Sequence, residues 1–174
     1  MKTLRIILVI HILFFVGWAG IEEYKQYQAP TILLKTLPVD PRDFLSGNYM
    51  TLRYEIGQPE KLPGFNGSKI RRNTTIGIYL KGNTVEVNGS QMKIFAPEKA
   101  QIPPPSLSDK QNPENGIWVT GRWTGSNYIV YGIERYYFSE KRKQELNSFR
   151  SGNVYAEVSV SKNGVMNLKN IILK

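Results

Sequence analysis

An apolar run over residues 6–21, entered through Lys2 and Arg5 and left at Glu22-Glu23, constrains this chain more than any other feature. A positive entry, an apolar stretch interrupted by His11, Gly17 and Gly20, and a negative exit match a signal sequence or a single-pass anchor whose N-terminus stays in the cytoplasm. At 1.5 Å per residue the run is near the short limit for an apolar layer of about 30 Å, although Thr3, Leu4 and the stem of Arg5 can extend it by snorkelling. Gly17-Trp18-Ala19 offers the small residues of a cleavage site. The run is nevertheless at or beyond the upper length of a signal-peptide core, and Trp18 suits a membrane interface. Retention as an anchor over residues 1–23 is therefore favoured over cleavage. His11 reads as a neutral imidazole tolerated by the helix.

Residues 24–30 read as a polar stalk, or as a continuation of the helix that Pro30 stops. Residues 31–174 suit one domain with its own core. The chain has no cysteine, and its single histidine lies in the apolar run. Disulfides, thiolate metal sites and the Cys-His and Ser-His-Asp chemistries are thus excluded from that domain. The net charge of +9, from 23 basic and 14 acidic residues, is scattered except for Lys69-Arg71-Arg72 and Lys141-Arg142-Lys143. That distribution fits general solubility better than contact with anionic lipid headgroups or acidic glycans, and a place outside the cytoplasm disfavours nucleic acid.

Beyond the stalk the pattern has period two, which predicts a mainly β domain. Residues 31–37 read as a strand. Asp40-Pro41-Arg42-Asp43 suits a type I turn. Residues 49–56 alternate, with Met50, Leu52, Tyr54 and Ile56 on one face and Tyr49, Thr51, Arg53 and Glu55 on the other. A surface loop follows over 57–73. Two hairpins are expected next, one turning at Lys81-Gly82-Asn83 between 75–80 and 84–87, the other at Asn88-Gly89 before 92–95. Residues 97–115 contain five prolines and are expected to form an extended polar insertion, because proline cannot donate within a central strand. Residues 117–123 and 128–138 should pair as one long aromatic hairpin. Ser139 is a plausible N-cap for a short helix over 140–147. Residues 154–160 and 165–173 flank a turn at Lys162-Asn163-Gly164. Eight or so antiparallel strands and one short helix imply a sandwich or a barrel-like sheet behind the anchor.

Two segments carry a family resemblance. Asp40, Arg42 and Asp43, followed by Gly47-Asn48-Tyr49-Met50-Thr51-Leu52-Arg53-Tyr54, resemble the signature of the GDYXXLXY family of membrane-anchored bacterial proteins. Gly132-Ile133-Glu134-Arg135-Tyr136-Tyr137-Phe138 is similar to a later segment of the same family. The resemblance implies a location in the cytoplasmic (inner) membrane, with a single-pass anchor and the C-terminal domain on the extracytoplasmic side. It also implies association with multi-spanning membrane proteins and no established activity. Asn48 stands where the family name has Asp. Asn keeps the turn-forming carbonyl and tolerates positive φ, so a turn role survives the loss of charge.

The candidate binding residues are Asp40, Arg42, Asp43, Gly47, Asn48, Tyr49, Leu52, Tyr54, Gly132, Ile133, Glu134, Tyr136 and Tyr137. Glu134 is expected to pair with a basic group such as Arg42, Arg53 or Arg122, and the strand at 49–56 to pack against 131–138. The tyrosines read either as an amphipathic cleft or as packing. No catalytic residue, metal or cofactor is expected, and the function anticipated is an accessory or binding domain of an envelope assembly. The alternative from a different class is a membrane-bound peptidase in which Ser46 is activated by a desolvated lysine such as Lys81 or Lys93.

Overall fold

The computed structural model describes residues 2–37, 49–87, 89–106, 112–125, 127–139 and 154–173. The apolar run lies in α1 (Lys2–Tyr27), whose side chains from Leu4 to Ile21 are exposed. By length and composition this helix is able to cross a membrane. It runs through most of the expected stalk and stops ahead of Pro30, whose carbonyl accepts a hydrogen bond from the Val160 N–H at 2.9 Å.

Nine strands follow: β1 (Thr31–Lys35), β2 (Tyr49–Thr51), β3 (Thr75–Val87), β4 (Ser90–Gln101), β5 (Ile117–Trp123), β6 (Ile129–Val130), β7 (Arg135–Tyr137), β8 (Val154–Val160) and β9 (Met166–Leu173). Seven form one sheet in the order β6-β5-β3-β4-β1-β8-β9, and β2 pairs with β7 apart from it. The mainly β class holds, with one exception to the antiparallel expectation: β1 meets β4 in parallel at Leu33 and Ile94. The large sheet is mixed and does not close into a barrel. It curls far enough for the β8–β9 turn to reach β5, where the Thr120 N–H (2.9 Å) and Oγ1 (3.2 Å) both donate to the Gly164 carbonyl. Strand twist accumulating in one hand is the physical source of such curling.

The inner face of this sheet supplies Ile32, Leu34, Ile76, Ile78, Leu80, Phe95, Ile117, Val119, Val158 and Val160 to one continuous core. Met50, Leu52, Tyr54 and Ile56 complete it, each at most 1% exposed. The alternation expected over 49–56 is thus realised in burial, although only Tyr49–Thr51 is strand. The 3-10 turn Glu55–Gly57 ends the segment and touches β1, β4 and β6. Full burial of side chains such as Leu52 and Ile56 contributes roughly 1.5–3 kcal/mol each.

Three local expectations are overturned. Lys81-Gly82-Asn83 is not a turn, because β3 passes through it and keeps pairing with β4 as far as Val87 and Ser90. Gly82 faces Phe95, and a Cβ there would fall 2.3 Å from Lys93 Cε and 3.1 Å from Phe95 Cζ. The glycine is therefore the seat over which those side chains lie. Pro97 belongs to β4 rather than to an insertion. It sits where the register slips between Tyr79 and Leu80, a bulge that needs no donor from it. Prolines 104 and 105 fold back over Gly77, where a Cβ would meet Pro105 Cδ at 2.8 Å. Residues 128–138 form two strands instead of one: β6 stays with β5, and the chain then turns at Gly132 (φ +83°) to deliver β7 to β2.

The turns at Gly89 and Gly164, both at positive φ, stand where expected. The helix anticipated over 140–147 and the turn at 40–43 lie outside the described residues.

Candidate functional site

The two motif segments meet as the sequence suggested. Tyr49, Met50 and Thr51 pair with Tyr137, Tyr136 and Arg135, and the ladder continues with the Leu52 N–H donating to the Glu134 carbonyl at 2.7 Å. Beyond it three tyrosine hydroxyls fasten the chain. Tyr54 donates to the Ile133 carbonyl at 2.6 Å, and Tyr131 to the Ile56 carbonyl at 2.6 Å. Tyr128 accepts from the Tyr54 N–H at 2.7 Å and faces the Tyr54 carbonyl at 3.4 Å. Each hydroxyl thus meets a backbone group of irregular chain that no sheet ladder serves.

Burial raises the pKa of Tyr54 and of Tyr131 above the ordinary tyrosine value, and the nearby Glu134 charge adds to the rise. Tyr128 is raised for the same leading reason, with its hydrogen bond to Tyr54 opposing. Glu134 does not form the ion pair expected with Arg53 or Arg122. Its carboxylate oxygens accept from the Tyr131 N–H at 2.5 Å and the Gly132 N–H at 2.9 Å. Two successive amides aimed at one anion are satisfied by a side chain two or three residues on, which a search for opposite charges misses. Arg42, the other partner expected, lies outside the described residues.

The two segments lie within a longer match: a sequence model of the GDYXXLXY protein family covers residues 11–171. The chain belongs to the GDYXXLXY family. No curated protein matches it, and no solved structure does. Of the GDYXXLXY motif, Leu52 and Tyr54 are fully buried and hold the fold, whereas Tyr49 is only half-buried. Gly47 and Asn48, with Asp40, Arg42 and Asp43, lie outside the described residues. In the second segment Ile133 is core and Gly132 supplies the turn, while Tyr136 packs against the core and lies 6.2 Å from the Phe138 ring. Tyr128 and Tyr131 are not among the candidate residues of the sequence, yet Tyr128 bonds the Tyr54 backbone and Tyr131 the Ile56 carbonyl. Nothing in their own spacing reveals which carbonyls they reach.

The outward face of the β2–β7 ribbon has a different character. Tyr49 and Tyr137 stand opposite each other with ring centroids 5.8 Å apart, and the Arg135 guanidinium lies 5.7 Å from the Tyr49 ring centre. Tyr137 is 67% exposed. Strand alternation places Met50 and Tyr136 inward and leaves Tyr49, Thr51, Arg135 and Tyr137 together outside.

The lysines of the alternative peptidase reading sit elsewhere. Lys81 is exposed and 3.5 Å from Glu98, and Lys93 is exposed and donates to the Pro113 carbonyl at 2.9 Å. Neither has the desolvated setting that would activate a serine, and Ser46 lies outside the described residues. Among the described residues there is no group of three or more His, Asp or Glu side chains able to hold a metal ion.

Proposed function

We propose that this GDYXXLXY protein is a single-pass membrane subunit whose β-domain lies outside the cytoplasm and binds a neighbouring, multi-spanning protein of the bacterial envelope through the β2–β7 ribbon. The observation that carries the reading is the exposed stack of Arg135, Tyr49 and Tyr137 on a sheet built from both motif segments. Tyrosine and arginine concentrate binding energy at interfaces, where truncation at a central position typically costs about 2 kcal/mol or more. An apolar helix joined to the domain through Gln28, Ala29 and Pro30 keeps that ribbon beside the membrane, which raises its effective concentration toward other membrane proteins. Lys2 and Arg5 before the apolar run and Glu22-Glu23 after it favour the extracytoplasmic side for the domain. The tyrosine hydroxyls are engaged by backbone carbonyls and Glu134 by backbone amides, which favours a fold-holding role for them over proton transfer.

The test is affinity capture from gently solubilised membranes, with the wild-type chain beside an Arg135→Ser, Tyr137→Ser double variant. An envelope membrane protein should co-purify with the wild type and fall at least about tenfold in the variant, at an unchanged melting temperature. Equal yields from two equally folded chains refute the ribbon as the contact surface.

A further inference from the structure

We propose that the β2–β7 ribbon receives a carboxylate between Arg53 and Arg135, that of an Asp or Glu on an extracytoplasmic loop of the membrane partner. The inference rests on the reading of the ribbon as a protein-binding surface, and it states the chemistry of what binds there.

Arg135 stands opposite Thr51 in the ribbon register, and alternation puts Arg53, two residues beyond Thr51, on the same outward face. Arg53 is therefore the diagonal neighbour of Arg135, at a Cβ spacing of about 7–8 Å. Both are exposed, and a guanidinium keeps its charge across the whole pH range of a cell envelope. Among the described residues neither has a carboxylate within ion-pair distance. The acids nearby are engaged: Glu55, next on the same alternating face, pairs with Lys35 at 3.1 Å, and Glu134 accepts from the Tyr131 and Gly132 N–H groups. Like charges so placed repel each other, and a carboxylate between them relieves the repulsion and has lone pairs for both. The Tyr49 ring adds direction. The Arg135 guanidinium lies over it at 5.7 Å, an arrangement that uses the face of the guanidinium and leaves its in-plane N–H donors for a bidentate acceptor.

Charge and position select the occupant. A second copy of this ribbon would bring guanidinium against guanidinium, which opposes ribbon-to-ribbon pairing. Lipid phosphate is the other anion at hand. The ribbon, however, joins the far end of β1: the Leu37 N–H donates to the Arg53 carbonyl at 2.8 Å and Thr36 bridges Tyr54, whereas the anchor enters at Pro30 beside Thr31. From Thr31 to Leu37 is about 20 Å of extended chain at about 3.3 Å per residue. That offset favours an acidic side chain carried out from the bilayer on protein over a headgroup within it.

The full-length chain in its own membranes tests this through the Arg135→Lys variant, which keeps the charge and adds an amine. A water-soluble carbodiimide should join that amine to an Asp or Glu of a multi-spanning membrane protein, in an adduct that the wild type does not give. Arg53→Glu combined with Arg135→Glu should cut capture of the same protein at least about tenfold, at an unchanged melting temperature. Phenylglyoxal, which modifies exposed arginine, should reach Arg53 and Arg135 of the purified chain in phosphatidylglycerol vesicles and be held off them in native membranes. Protection by the vesicles alone makes lipid the occupant, and a carbodiimide adduct with a second copy of this chain makes the face a contact between copies. Either result overturns the proposal, as does the absence of any adduct beyond those of the wild type or undiminished capture by the charge-reversed chain. A partner lost on Arg135→Ser with Tyr137→Ser but kept by the charge-reversed chain leaves the functional reading standing and overturns only this one. A chain that captures no membrane protein at all removes both.

Discussion

Replacing Tyr54 by phenylalanine should weaken the domain at neutral pH, by a margin that shrinks in alkali. The ring is fully buried and its hydroxyl donates to the Ile133 carbonyl at 2.6 Å, joining the two motif segments. Phenylalanine keeps the packing but strands a buried carbonyl, which costs about 1–3 kcal/mol. The alkaline behaviour follows from linkage. Burial raises the folded pKa of Tyr54 above the ordinary value, so its contribution is complete below the unfolded pKa of about 10 and falls as pH rises toward the folded value. At pH 11 the unfolded chain is ionised at this position while the folded chain is not. That difference removes about 1.4 kcal/mol from the wild type and nothing from the variant. Tyr128 and Tyr131 respond alike in both proteins and cancel from the comparison. Urea unfolding of the detergent-solubilised chain, followed by tryptophan fluorescence at pH 8 and pH 11, should therefore show a gap at pH 8 that is smaller by about 1.4 kcal/mol at pH 11. A gap of constant size would mean that the Tyr54 hydroxyl is not held neutral by burial, and a gap below about 0.5 kcal/mol at pH 8 would mean that its hydrogen bond is not made.

Gly121→Ala should cost about 1–3 kcal/mol in the same assay, because a Cβ there would meet Ile129 Cγ2 at 2.5 Å and Tyr131 Cε1 at 2.8 Å; full stability would show that this part of the core yields. Glu134→Gln should destabilise the domain through its two backbone amides, and a double-mutant cycle with Arg53→Gln should give a coupling below about 1 kcal/mol. A larger coupling would restore the ion pair that the structure replaces. An alkaline phosphatase reporter fused after Lys174 should be active and remain membrane-bound through an alkaline wash. An inactive reporter reverses the orientation, and release by the wash means a cleaved signal.

Much of this protein is legible in its sequence because the deciding physics is local. The charge-flanked apolar run states a helix of membrane-spanning length whatever follows it. The alternation at Met50, Leu52, Tyr54 and Ile56 states which side chains seek the core, and Gly89 and Gly164 mark true hairpin turns. The junction of the two motif segments was also foreseeable, since a single core of this size leaves few places for two aromatic strands. The segments that misled are those whose local preference a tertiary contact overrode. Gly82 has turn propensity, yet the long β3–β4 ladder and the Lys93 and Phe95 side chains hold it extended. Pro97 is barred from a regular ladder, yet a bulge accommodates it. Residues 128–138 alternate as one strand, but the large sheet and the ribbon compete for its two halves and Gly132 permits both to win. Glu134 has no signature beyond its charge. Only the folded turn aims two amides at its carboxylate, because hydrogen-bond partners are fixed by the path of the backbone in space and not by residue type.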